Sequence, residues 1–236
     1  MPVTAADLAA LDEEVTYCRA CPRLVEWREK VAREKRAAFR DQTYWGRPVP
    51  GFGPSDARIL VLGLAPAAHG ANRTGRIFTG DRSGEVLYAA LYRAGLATKP
   101  VSLSADDDLR LIGTRITAPV KCAPPANKPE ISERDNCAHW LHREIRDLPD
   151  LRVVVTLGAF GWAAWWQAQE PVYGVRPPSP RPRFGHGAVH RTPGQPVVLG
   201  CYHVSQQNTF TGRLTPAMLD DVFRHARSLA GEESRG

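Results

Sequence analysis

A chain of 236 residues is long enough for one well-filled hydrophobic core. Hydrophobic residues at 43% and charged residues at 24% sit in the ordinary globular range, and there is no signal-like segment or run of about 18 apolar residues, so a cytoplasmic protein without a membrane partner is expected. The net charge is +6 and arginine outnumbers lysine 26 to 5, which favours a polyanionic partner such as nucleic acid, although codon bias gives the same arginine excess.

The first helix is predicted from a cap at Thr4 to about Tyr17, and Pro22, suited to a first helical position, opens a second running to about Phe39. Four mostly continuous apolar runs follow, at 58–63, 115–120, 151–157 and 197–202, the pattern of strands covered on both faces. Helical patterns lie between them at 83–94, 132–148 and 159–169, and such alternation implies a parallel sheet with right-handed crossovers. The stretch 171–196 holds seven prolines. It reads as an irregular excursion with a short edge strand near Phe184, either lining a DNA groove or crossing the sheet. A last helix begins with Thr215 as cap and Pro216 as its first residue, and the tail 231–236 is expected to be loose. One domain spanning 1–236 and a monomer are expected.

The first strand is followed by GLAPAAHGANRTGRIFTGD, residues 63–81. Strand-to-helix turns take about 2 to 6 residues, so a loop this long, with four glycines, two arginines and a closing aspartate, marks a ligand-holding surface outside the carboxyl end of a strand. His203 closes the last strand before another polar loop, Val204 to Thr209. In a parallel sheet it faces the first loop, either as a site residue or as a satisfied structural histidine.

Cys18 and Cys21 form CxxC between the first two helices, and Cys122 and Cys137 have fourteen residues between them. A cytosolic setting disfavours structural disulfides. Zinc ribbons pair one CxxC with another, and the spread second pair suits an iron–sulfur cluster better, with zinc as the alternative. Cys201, inside the last strand, reads as a small core residue.

With GLAPAAHGANRTGR and FTGD, KCAPPANKP around Cys122, HVSQQNTFTGRLT from His203, and the four-cysteine spacing all in order, the chain resembles family 5 of the uracil-DNA glycosylase superfamily. The resemblance covers nearly the whole chain, from Cys18 to Thr215. It implies a three-layer α/β/α fold around a four-stranded parallel sheet, a [4Fe–4S] cluster on Cys18, Cys21, Cys122 and Cys137, and excision of deaminated bases from double-stranded DNA. Family 4 relatives carry a carboxylate in GEAPG after the first strand. This chain has Leu64 and Ala65 there, which cannot activate water, a departure that family 5 shares.

On that resemblance, Gly63, Ala65, Pro66, Ala67, His69, Phe78 and Asn127 form the base pocket, with Phe78 stacking on a flipped base and Asn127 reading its edge. As alternatives, Phe78 is a core anchor and Asn127 a turn residue. His203 donates to the base carbonyl as charge builds on the leaving group. Asp81 orients water or stabilises the sugar cation, or else serves as a helix-terminal carboxylate near Ser83; His69 is a weaker candidate for positioning water. Ser205, Gln206, Gln207 and Asn208 enter the minor groove, and Arg73, Arg76 and Arg213 contact phosphates. Small Ala65, Ala67 and Ala68 predict a pocket that accepts hypoxanthine as well as uracil. A non-catalytic iron–sulfur DNA-binding module on the same fold is the alternative function. A phosphate-binding enzyme ranks last, because GxxxxGK[ST] is missing.

Overall fold

The computed structural model describes residues 5–231; Thr4 and the tail from 232 lie outside the described residues. Five strands form one sheet: β1 (Ile59–Leu62), β2 (Thr114–Thr117), β3 (Val153–Leu157), β4 (Val189–His190) and β5 (Val197–Cys201), in the order β2-β1-β3-β5-β4. Four run parallel, and β4 pairs antiparallel with β5. Among the described residues the α-helices are α1 (Ala5–Val15), α2 (Pro22–Glu34), α3 (Ala71–Thr74), α4 (Arg82–Arg93), α5 (Ile131–Arg146), α6 (Ala159–Tyr173), α7 (Gln206–Phe210) and α8 (Pro216–Leu229). Among the described residues no helix is long and apolar enough to cross a membrane.

The apolar runs arise because both faces of the sheet are covered. Ile59 and Val61 pack with Leu87 and Leu91 of α4 and with Leu219 and Phe223 of α8. Leu60 and Leu62, pointing the opposite way, pack with Leu8 of α1, Leu141 of α5 and Trp165 of α6. The α/β/α class therefore stands.

Three details correct the sequence reading. The sheet has a fifth strand, and its edge lies at Val189–His190, not near Phe184. Phe184 instead stacks edge-on against Trp162 at 6.0 Å, and Trp162 Nε1 donates to Pro182 O at 2.8 Å, so the Pro-rich stretch is fastened to α6 before it returns as β4. The second helix stops at Glu34. Lys35 turns left-handed with φ 56°, its N–H closes on Val31 O, and Ala37–Phe39 forms a separate 3-10 turn.

One charge interrupts the apolar pattern of β2. Arg115, 1% exposed, donates to Glu144 of α5 at 2.6 Å, and Glu144 also accepts from Thr117 and from Lys121 Nζ at 2.6 Å. Burial pushes the Glu144 carboxyl upward, but Lys121 and Arg115 outweigh it and hold the group well below the ordinary carboxylate range. Arg115 reaches Asp12 as well, so this network ties α1 and α5 to the end of β2, next to Cys122.

Candidate active site

β1, β3 and β5 finish in register, with Leu62 opposite Thr156 and Leu157 opposite Cys201, so the segments that follow them leave one edge of the sheet. Phe78 and His203 meet over that edge, their ring centroids 6.2 Å apart at 37°. Glycines make the room. A Cβ on Gly63 would lie 2.9 Å from Phe78 Cε2, and one on Gly158, whose φ is +91°, would lie 3.4 Å from His203 Cβ. Phe78 has a left-handed φ of 53°, a strain of about 1–3 kcal/mol for a bulky residue, and it is buried among core residues. Its ring thus anchors the core and faces His203 together.

Burial lowers the pKa of His203 to about 4, so its imidazole is uncharged at neutral pH. Its carbonyl accepts from Asn208 Nδ2 at 2.8 Å, Asn208 O accepts from Leu214 N–H at 3.0 Å, and Ser205 caps α7. Ser205 and Asn208 therefore shape this loop, whereas Gln206, Gln207 and Phe210 stand exposed on α7.

Asp81 is the N-cap of α4. Its Oδ1 accepts from Gly84 N–H at 2.9 Å, and Oδ2 lies against Gly70, where a Cβ would come within 1.9 Å. The helix-terminal role is real, and one oxygen is left beside the loop. Burial raises this carboxyl, opposed by the N–H groups of Gly84 and Ser83 and by Arg73. His69 Nδ1 lies 3.0 Å from Tyr44 OH. Pro66 is buried and the Ala67 carbonyl accepts from Asn72 N–H at 3.0 Å, while the half-buried Ala65 packs toward Leu24, Val120 and Cys122. Asn127 occupies an exposed left-handed turn, φ 55°, and no bond joins it to Phe78, Asp81 or His203 among the described residues.

Two of the three arginines expected at phosphates are loop braces. Arg76 is 6% exposed, ion-paired to Asp107 and bonded to Thr79 Oγ1 and Ser102 Oγ. Arg73 donates to the carbonyls of His69 and Gly80 and to Gln42, with its guanidinium 4.1 Å from the Phe39 ring. Arg213 is the exposed one and lies 4.6 Å over Tyr202.

Cys18, Cys21, Cys122 and Cys137 are free thiols lining one cavity between α2, α5 and the segment after β2. Arg28, 2% exposed, lines it too. Its Nη1 donates to Cys122 Sγ at 2.8 Å and Nη2 to Cys18 O at 3.1 Å, while Nε is buried with no acceptor among the described residues. Lys121 N–H points at Cys137 Sγ, 3.4 Å away. Outside the cavity, Arg23 clasps Glu133 at 2.8 Å and so joins the starts of α2 and α5. Burial pushes Cys122 up to about 11 and Cys137 to about 12, so these thiols keep their protons at neutral pH. Among the described residues no three His, Cys, Asp or Glu side chains are gathered to hold a single metal ion.

Residues 50–227 match the model of the uracil-DNA glycosylase superfamily. A protein from Mycobacterium bovis named type-5 uracil-DNA glycosylase is 58% identical over 230 residues, covering 97% of this chain and 84% of its own. Proteins of the same name from Mycobacterium leprae and Thermus thermophilus are 56% and 52% identical, over 96% and 95% of this chain and 97% and 99% of theirs. The chain belongs to the uracil-DNA glycosylase superfamily, among its type-5 members.

In this glycosylase-family chain, three residues near the candidate site escaped the sequence reading. Phe210 is 72% exposed; its sign in the sequence is an aromatic ring outside any apolar period. Arg28 and Tyr44 gave no such sign, since each works through a partner distant along the chain.

Proposed function

We propose that this chain hydrolyses the N-glycosidic bond of uracil, and also of hypoxanthine, in double-stranded DNA. The observation that carries the reading is the pairing of Phe78 with an uncharged His203 over the Gly63 backbone, at the edge where parallel sheets place ligands. A flipped base stacks at Phe78. His203 offers an N–H without the cost of a buried cation and stabilises the departing base as negative charge reaches its carbonyl. Asp81, fixed by its cap bond, turns its second oxygen toward the water or the sugar. Gln206, Gln207 and Phe210 fill the space the nucleotide leaves, and Arg213 meets a phosphate. Ala67 and Ala68 carry no polar side-chain atom that would be left unpaired by a purine. Incubation with uracil- or hypoxanthine-containing duplex followed by alkali should break the damaged strand. Intact strands despite binding would favour a non-catalytic DNA-binding module, and breaks at uracil alone would remove the purine activity.

We also propose that the four cysteines hold a [4Fe–4S] cluster. An all-thiolate donor set, N–H groups aimed at two of the sulfurs, and the Arg28 Nε without an acceptor all suit a group that carries sulfide. When bound, such a cluster ties the α1–α2 junction to the segment after β2 and to α5. Anaerobically purified protein should be brown and contain iron and sulfide. Stoichiometric zinc without iron would overturn the assignment.

A further inference from the structure

We propose that Tyr44 holds His69 in its Nε2–H form, so that His69 meets the bound nucleotide or its water as an uncharged donor and not as a base. Only the identity of what the donor meets rests on the glycosylase reading; the tautomer does not. Tyr44 is 7% exposed, and its hydroxyl lies 3.0 Å from His69 Nδ1. The backbone N–H of Arg36 donates to the same hydroxyl at 3.4 Å.

The hydroxyl has one proton to give, and among the described residues Nδ1 is its one acceptor. If Nδ1 carried the proton, two donors would converge on the phenol oxygen and the buried hydroxyl proton would have no partner, which is a costly arrangement. Donation from Tyr44 to Nδ1 satisfies all three groups. A neutral imidazole that accepts at Nδ1 carries its proton on Nε2. Burial, with help from Arg36 and Arg73, lowers the pKa of His69 and keeps the ring neutral.

The place of this donor gives it a use. His69 precedes Gly70, the residue against which Asp81 Oδ2 lies, and Arg73 Nε pins the His69 carbonyl at 2.8 Å. The ring is half-buried, and its Nε2 has no partner among the described residues. An acceptor oxygen of the nucleotide, or water beside Asp81, can therefore take the bond. A base at this position is ruled out while Tyr44 fills the lone pair of Nδ1 and the proton occupies Nε2.

Long-range proton–nitrogen correlation spectra of the free protein test the tautomer without any catalysis. His69 should show a protonated Nε2 and a bare, hydrogen-bonded Nδ1, and Tyr44→Phe should convert it to a mixture of tautomers. An Nδ1–H tautomer in the parent, or an unchanged tautomer in Tyr44→Phe, would overturn the proposal even if no base is ever released. On uracil-containing duplex, His69→Ala should lower the single-turnover rate about 10-fold to 100-fold. His69→Gln supplies an amide N–H but cannot act as a base, and it should recover about 10-fold of that loss. A glutamine variant as slow as the alanine variant would show that donation is not what His69 provides.

Discussion

The carboxyl edge of the sheet carries two polar regions built in opposite ways. In the loop region the charged side chains spend their hydrogen bonds at home: Arg73 on two carbonyls and Gln42, Arg76 on Asp107 and two hydroxyls, Asp81 on the start of α4. Around the thiol cavity a buried arginine keeps one N–H without an acceptor, and two thiols are held protonated by burial. A region that closes its own bonds is preorganised for a substrate that comes and goes. A region that leaves a buried donor open carries a cost of about 1–3 kcal/mol for the orphaned N–H, which is the observation behind the proposed cluster.

The sharpest way to break this comparison is at the group the loops leave open. His203→Ala should cut the single-turnover rate on uracil-containing duplex by about 100-fold to 1000-fold while DNA affinity is nearly kept, since its bond strengthens mainly as charge reaches the base. A rate within about threefold of the parent would make His203 a structural residue. Next comes a brace. Arg76→Ala removes the ion pair from Asp107 and leaves the Thr79 and Ser102 hydroxyls without their guanidinium donor, and urea unfolding should register a loss of about 2–4 kcal/mol. DNA affinity and its salt dependence should not move. Unchanged stability with weakened binding would return Arg76 to the phosphate contacts.

These two variants also mark what could be read from the chain. The sheet was legible because β1, β3 and β5 are apolar on both faces, and the site edge followed from their parallel order. The four cysteines and the aromatic and imidazole rings were legible as residue types. The arginines were not. Arg73, Arg76 and Arg213 look alike in sequence, and only the fold shows that Asp107, thirty-one residues away from Arg76, neutralises one of them while Arg213 stays exposed. The edge strand was expected near Phe184 and lies instead at Val189–His190, because two residues in a proline-rich stretch carry no alternation and their pairing with β5 comes from tertiary placement. The bond from Tyr44 to His69 spans twenty-five residues and has no local signature.

A smaller effect concerns pH. His203 titrates near 4 in the folded protein against 6.5 ordinarily. The unfolded chain therefore takes up this proton below about pH 6.5 while the native one refuses it until about 4, so stability is full above 6.5 and falls as pH drops through that window. The single-turnover rate should show no break near pH 6.5, because the ring is neutral on both sides of it. A break there would mean that His203 is solvated like an ordinary surface histidine, and its place in the cleft would need revision.

The smallest effect separates the exposed arginine from the braces. Arg213 lies over the Tyr202 ring with its charge open to solvent, so one lost phosphate contact should reduce the slope of log affinity against log salt by about 0.9 and weaken binding similarly for all sequences. The rate at saturating protein should fall far less than in His203→Ala, since a phosphate contact sets register and does not touch the breaking bond. Arg73→Ala provides the contrast: it frees the His69 and Gly80 carbonyls and should loosen residues 63–81 with the salt slope intact. If Arg73→Ala lowered the slope and Arg213→Ala did not, the assignment of one arginine to the loop and the other to the DNA would be reversed.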